Sequence, residues 1–245
     1  MQVQTHDVDV KAGFNGGAGV VRCVVARPAR VGRFPLLLCY ADIFGNSEAH
    51  LRVMRRFAGH GYVVVSPDPW ARFHPPGTVL DFDKDRQAAL DASERGDGTA
   101  ADEDRAAVVA ACKGEAFVDD NVYALGFCYG GHLAFRAALD KGTRAAACFY
   151  GTGIHADKLG GGVVDSLARV KEIEGEVLLV WGRNDPHIPK EGRAKIHAAL
   201  DAAQVKWEAR LYDAEHAFAR DVGPRHDPAA TDEAVAAALA LFRRR

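Results

Sequence analysis

The stretch Val122-Tyr123-Ala124-Leu125-Gly126-Phe127-Cys128-Tyr129-Gly130-Gly131-His132 constrains this chain more than any other. An apolar run of strand-forming residues ends in Gly-x-Cys-x-Gly-Gly, and a helical pattern from Leu133 to Leu139 starts at once. That order predicts a sharp strand-to-helix turn lifting the Cys128 side chain above the end of a sheet. Gly126 and Gly130 stand two positions either side of it, where a Cβ would crowd the turn. A buried structural cysteine also fits this stretch taken alone. Partners for a nucleophile elsewhere in the chain decide between the two.

The rest of the chain alternates strand and helix patterns. Val8-Asp9-Val10 and Val20 to Ala26 read as two strands around a Gly-rich turn (Gly13 to Gly19), an antiparallel start. Phe34 to Tyr40 is a continuous apolar run, as a strand buried on both faces should be. A helix is predicted over 47–60, ended by Gly61, and a strand over Tyr62–Ser66. A Pro-rich loop to about Lys84 leads into two polar helical stretches flanking Gly96-Asp97-Gly98. After Cys128 come a helix to Lys141, a strand Ala145–Tyr150, and a Gly-rich segment 151–175 that reads as a lid. Strand Glu176–Trp181, helix Lys190–Ala203, strand Val205–Tyr212 and helix Ala229–Phe242 complete the chain. This alternation predicts an α/β fold, a mostly parallel doubly wound sheet flanked by helices, as one domain over residues 1–245.

Composition narrows the function by exclusion. The formal net charge is −2, so no global charge calls for nucleic acid or an anionic membrane. No apolar run approaches the ~18 residues a bilayer span needs, and no signal peptide is visible at the N-terminus. The terminal Arg243-Arg244-Arg245 suits a solvated helix end. Five cysteines, odd in number and widely spaced without Cys-x-x-Cys, suggest neither a disulfide framework nor a zinc site. A reducing cytoplasm is the expected setting, with no cofactor and no metal.

A nucleophile on such a turn needs an acid and a histidine, arriving after it in that order at the ends of later strands. Val177 to Trp181 is followed by Gly182-Arg183-Asn184-Asp185-Pro186, and Lys206 to Tyr212 by Asp213-Ala214-Glu215-His216. Asp185 alone could be a turn residue, and His216 is one of ten histidines. Order, strand context and spacing together select Cys128, Asp185 and His216 as a catalytic triad. His187, two residues past the acid, reads as a surface or lid residue, and His132 as packing beside the elbow helix. The backbone N–H groups of Tyr129 and Ile43 are the expected oxyanion donors.

With these residues in place, the chain resembles the dienelactone hydrolase family of the α/β-hydrolase fold, over nearly its whole length. The resemblance implies a Cys128–Asp185–His216 triad. It also implies two arginines that hold a substrate carboxylate, mapped onto Arg72 in Pro67-Asp68-Pro69-Trp70-Ala71-Arg72 and onto Arg220 in His216-Ala217-Phe218-Ala219-Arg220. A planar guanidinium suits that role because it binds carboxylate through two parallel hydrogen bonds. The family's glutamate that bonds the resting thiol corresponds to Asp42, one methylene shorter. Ala217 stands where a serine is frequent, and Gly160-Gly161-Gly162 centres a longer connection between Cys128 and Asp185. Trp70, Phe44 and Tyr150 are candidates for the apolar walls of the site.

The implied function is hydrolysis of a small carboxylate-bearing lactone or ester through a cysteine acyl-enzyme, in aromatic-compound degradation. The alternatives are a broader carboxylesterase and a non-catalytic relative that binds a metabolite or partner. The expected partner is a small-molecule ester or lactone, with no nucleic acid and no membrane, and the chain a monomer or weak homodimer.

Overall fold

The computed structural model describes residues 1–14 and 17–244. The chain opens with a hairpin of β1 (Val3–Phe14) and β2 (Gly17–Pro28), whose expected turn has its tip, residues 15–16, outside the described residues. Then come β3 (Phe34–Tyr40), α1 (Glu48–Gly59), β4 (Val63–Pro67), α2 (Arg86–Glu94) and α3 (Gly98–Lys113). The elbow joins β5 (Val118–Phe127) to α4 (Tyr129–Ala137), followed by β6 (Thr143–Phe149). A two-stranded hairpin, β7 (Lys158–Leu159) with β8 (Gly162–Val163), precedes β9 (Glu176–Gly182), α5 (Lys190–Ala202), β10 (Lys206–Tyr212) and α6 (Pro228–Arg243).

Eight strands form one sheet in the order β1-β2-β4-β3-β5-β6-β9-β10. β1 with β2 and β2 with β4 are antiparallel, and every pair from β4 to β10 is parallel. The inner strands are buried on both faces, which is why they read as unbroken apolar runs: Leu36, Leu37, Leu38 and Cys39 in β3, and Val177 to Val180 in β9, expose nothing. Helices α1 and α6 pack together on one face, where Phe57 meets Phe242 with ring centroids 6.2 Å apart. Helices α3 and α4 cover the other.

Helix starts follow local chemistry. Asp97 accepts from the Thr99 and Ala100 N–H groups to begin α3. Asp227 accepts from Ala230 N–H to begin α6, with Pro228 in its first turn. Helix α4 stops four residues short of the predicted Lys141, because Leu139 N–H and Asp140 N–H bond back to Arg136 and Ala137 in tightened turns. The C-terminal arginines end α6, with Arg244 bonded to Glu176 at 2.8 Å and Arg245 outside the described residues.

The segment expected to be a lid is pinned. His132 Nδ1–H donates to Thr152 O at 2.9 Å, and its Nε2 accepts from Ser166 Oγ at 2.8 Å. Arg136 bonds Asp165 and Ser166 at 2.9 and 3.0 Å, and the Asp157 carboxylate takes Leu167 N–H. Glycine content alone suggests mobility; the bonds from His132 and Arg136 of α4, those to Ser166 buried, tie the segment that carries the β7–β8 hairpin over the site as a roof. Among the described residues no helix is long and apolar enough to cross a membrane.

Candidate active site

The C-terminal ends of β3, β5, β9 and β10 lie on one edge of the sheet, and each delivers a candidate residue there. Cys128 sits between β5 and α4 with φ 58° and ψ −120°, a conformation rare for any residue but glycine. Such a backbone costs of order 1–3 kcal/mol, and the surrounding packing holds it. Cys128 N–H bonds Phe149 O and Thr152 N–H bonds Cys128 O, tying the turn to the end of β6. A Cβ on Gly126 would run into the Gly130 carbonyl oxygen, and one on Gly130 into the carbonyls of Tyr40 and Ala41, so only glycine lets helix and strands approach this closely.

His216 Nδ1–H donates to Asp185 Oδ2 at 2.7 Å, both side chains being nearly shut off from solvent. Asp185 Oδ1 accepts the His187 N–H at 2.8 Å, which orients the carboxylate. Burial disfavours the charged His216 ring. The neighbouring Cys128 sulfur, which bonds the ring, and the Asp185 carboxylate outweigh that cost and push its pKa up to about 10. The site therefore favours the protonated His216 ring.

The two residues expected to supply oxyanion donors border one cleft. Tyr129 is the first residue of α4, so its N–H has no partner within the helix, at the positive end of the helix dipole. Ile43 lines the same cleft as Cys128 and Tyr129. Trp70 is fully buried behind this loop, donating from Nε1 to Ile43 O at 3.1 Å and packing its ring on Tyr129. It supports the donors and lies behind the cleft wall.

The cleft in front of Cys128 has a volume of about 370 Å³. Phe44 lines it, edge-on to Phe82 at 5.1 Å between centroids. Arg220 lies over the Phe82 ring, its guanidinium carbon 3.8 Å from the centroid, and its Nη1 is 3.5 Å from Asp42 Oδ2. Asp42 turns its other oxygen to the Phe44 N–H at 2.9 Å. Burial raises the Asp42 pKa, against the opposing pull of Phe44 N–H, Arg220 and His216. Its carboxylate thus faces Arg220 and its own turn. Tyr150 is buried behind the cleft with its ring edge-on to His216 at 5.2 Å, a brace for the imidazole.

Arg72 is not brought to this cleft. Its guanidinium bonds both Asp104 oxygens at 2.8 and 2.9 Å, Glu103 at 3.1 Å, and the Ala100 carbonyl, and it stacks over Phe14. Its acid partner on α3, Asp104, captures it there. Arg86, in the first turn of α2, lines the cleft instead, together with Lys158 of the hairpin and Arg225. These cations look in sequence like an ordinary solvated helix face and loops; only the placement of α2 and the hairpin over Cys128 distinguishes them. His187, expected at the surface, is exposed, yet its ring packs edge-on to His216 at 4.7 Å on the rim. His132 is wholly buried, which lowers its pKa to about 3, and acts in the roof anchor described above.

The family model described as the dienelactone hydrolase family matches residues 21–245. A carboxymethylenebutenolidase of Pseudomonas sp. (strain P51) is 30% identical, with the alignment covering 100% of this chain and 96% of that protein. Among solved structures, one from Klebsiella pneumoniae provisionally described as a dienelactone hydrolase aligns with a TM-score of 0.84 at 21% identity, covering 99% of this chain and 100% of that one. A dienelactone hydrolase-like promiscuous phosphotriesterase from metagenomic libraries aligns at 0.77 and 20% identity, covering 98% of both chains. The two structures share the α/β-hydrolase fold found here. By the span of the family match and the full-length relative, this chain belongs to the dienelactone hydrolase family and is a hydrolase of that type.

Proposed function

We propose that the protein hydrolyses a small lactone or ester bearing a carboxylate, through an acyl-enzyme on Cys128. The observation that carries this reading is the meeting, in one cleft, of Cys128, the Asp185-linked His216 and the cations Arg220 and Arg86. The Cys128 thiolate adds to the carbonyl carbon, and the carbonyl oxygen, now anionic, accepts from the Ile43 and Tyr129 N–H groups. Collapse breaks the C–O bond, and the leaving oxygen takes the proton from His216 Nε2. Water then attacks the thioester carbon, giving its proton to His216, and a second collapse returns the Cys128 thiolate.

Arg220 on one wall and Arg86 at the start of α2 are the groups suited to the substrate carboxylate. A carboxylate that draws Arg220 away frees an oxygen of Asp42 beside the reacting pair. A carboxymethylenebutenolide-type lactone, with its stabilised enol leaving group, suits a thiol nucleophile. On this reading the protein serves aromatic-compound degradation in a cytoplasm that keeps Cys128 reduced.

The test compares kcat/KM for cis- and trans-dienelactone with that for a neutral aryl acetate. A preference of about a hundredfold for the lactones, about 2.7 kcal/mol in the transition state, is expected. Equal or reversed values would assign the site to a broader carboxylesterase. The commitment of Arg72 to Asp104 favours that second reading, since it leaves the mapped arginine pair incomplete.

A further inference from the structure

Three cavities adjoin across the molecule. The substrate cleft and a small cavity of about 20 Å³ have Asp42 and Arg220 as a common wall. The small cavity and a third, of about 210 Å³, share Val53, Phe127 and Ala219. The third opens between α1 and the start of α6, where the ion pairs Arg52–Asp221 and Arg56–Asp232 border it. Its charged mouth is a surface that water wets.

The small cavity is the size of one water molecule. It also has the polar groups a bound water needs, since Ser47 and His50 line it alongside Asp42 and Arg220. Arg220 Nε is buried with no hydrogen-bond partner, a donor of the kind that ordered water satisfies. Val53 is half-buried on α1 and lines both rear cavities, on the wall they share with Phe127 and Ala219.

We propose that water reaches the acyl-enzyme from the rear, between α1 and α6, past Val53 and across the Asp42–Arg220 pair. This rests on the acyl-enzyme reading above. The reason for a second route is chemical. An acyclic ester loses its leaving group, and water takes the vacated place from the front. A lactone keeps its leaving oxygen on the same molecule, so after ring opening that oxygen still occupies the place beside the thioester carbon that a departing alcohol would vacate. The attacking water must then come from another side. Its oxygen bonds to the thioester carbon, its proton passes to His216 Nε2, and the C–S bond breaks to return the thiolate.

Val53→Phe narrows the passage without touching the cleft, and Val53→Leu narrows it less. Stopped-flow measurement of the acylation burst and of steady-state kcat, with a dienelactone and with an aryl acetate, tests the route. In Val53→Phe the lactone kcat should fall about tenfold, with acyl-enzyme accumulating in intact-mass spectra, while the burst rate and the aryl acetate kcat stay within about twofold. Val53→Leu should fall between, and serves alone if the phenylalanine variant does not fold. An unchanged lactone kcat in folded variants, or equal losses on both substrates, overturns the rear route. Absence of any Cys128 acyl-enzyme in the wild-type protein overturns the acyl-enzyme reading itself, and the route with it.

Discussion

Asp185 Oδ2 stands 2.7 Å from His216 Nδ1, a bond that fixes which ring nitrogen is left for Cys128. Asparagine at 185 is nearly isosteric, but its amide nitrogen can donate to Nδ1 and so favours the wrong tautomer. Asp185→Asn is expected to lower kcat by about 10⁴ while leaving the fold intact, as the loss of the acid does in serine triads. Circular dichroism and esterase kinetics on one preparation check both halves. A loss of less than about tenfold would mean the acid does not orient the base.

The raised pKa of His216 makes a signed prediction about pH. The folded value, about 10, lies above the ordinary 6.5. The stabilisation linked to its proton is therefore complete below pH 6.5 and is lost as pH rises through 10. Because Cys128 is the leading cause that raises it, Cys128→Ala should bring the His216 titration down and flatten this part of the stability curve. Ring nitrogen shifts followed by NMR from pH 6 to 11, roughly the window between the two values, read the first effect. Urea midpoints over the same range read the second. An unmoved titration in the alanine variant would show that Asp185 alone holds the proton.

Arg72 and Arg86 should separate cleanly on mutation. Arg72 is nine-tenths withdrawn from solvent and bonded to Asp104, so Arg72→Ala leaves that half-buried carboxylate without its partner. Its expected effect is a loss of about 1–3 kcal/mol in stability with KM unchanged. Arg86→Ala should raise KM for anionic lactones by about tenfold, spare neutral esters and leave Tm unchanged. Thermal melts and paired substrate kinetics distinguish them. A KM effect in the Arg72 variant at unchanged Tm would return that residue to substrate binding.

Much of the arrangement is legible in sequence because its causes are local. Gly126 and Gly130 announce the tight turn at Cys128, since their own backbone contacts forbid a Cβ. Asp185 follows the apolar run of β9 and His216 follows the mixed edge strand β10, and the parallel pairing of the two brings their ends to one edge. What is not legible depends on distant partners. Whether Arg72 turns to the cleft or to α3 is decided by Asp104, 32 residues away. The rigidity of the 151–175 segment is decided by His132 and Arg136 on α4, and no glycine count reports it. Arg86 escapes notice because a helix start rich in polar residues looks the same whether it faces solvent or a substrate cleft.

The roof offers the last test, through Asp102 on α3. Its carboxylate bonds Arg105 at 2.7 Å and Arg136 at 2.6 Å, and reaches Arg169 at 3.4 Å. Arg105 and Arg136 expose only 4% and 3% of their side chains, so they depend on protein partners for their charge. Asp140 and Asp165 share that task from more exposed positions. Burial raises the Asp102 pKa and the arginines more than reverse it, leaving the carboxyl below its ordinary value. Asp102→Ala removes the shared anion from two buried cations and should cost about 3 kcal/mol or more. Because Arg136 also holds Asp165 and Ser166, the loosened roof should raise KM for anionic lactones through Lys158 and Thr152 before the protein unfolds. Hydrogen exchange across residues 151–175, measured beside kinetics well below the variant's Tm, reads this directly. Unchanged protection there, with stability lost only globally, would mean that Asp102 holds α3 to α4 and leaves the roof to His132.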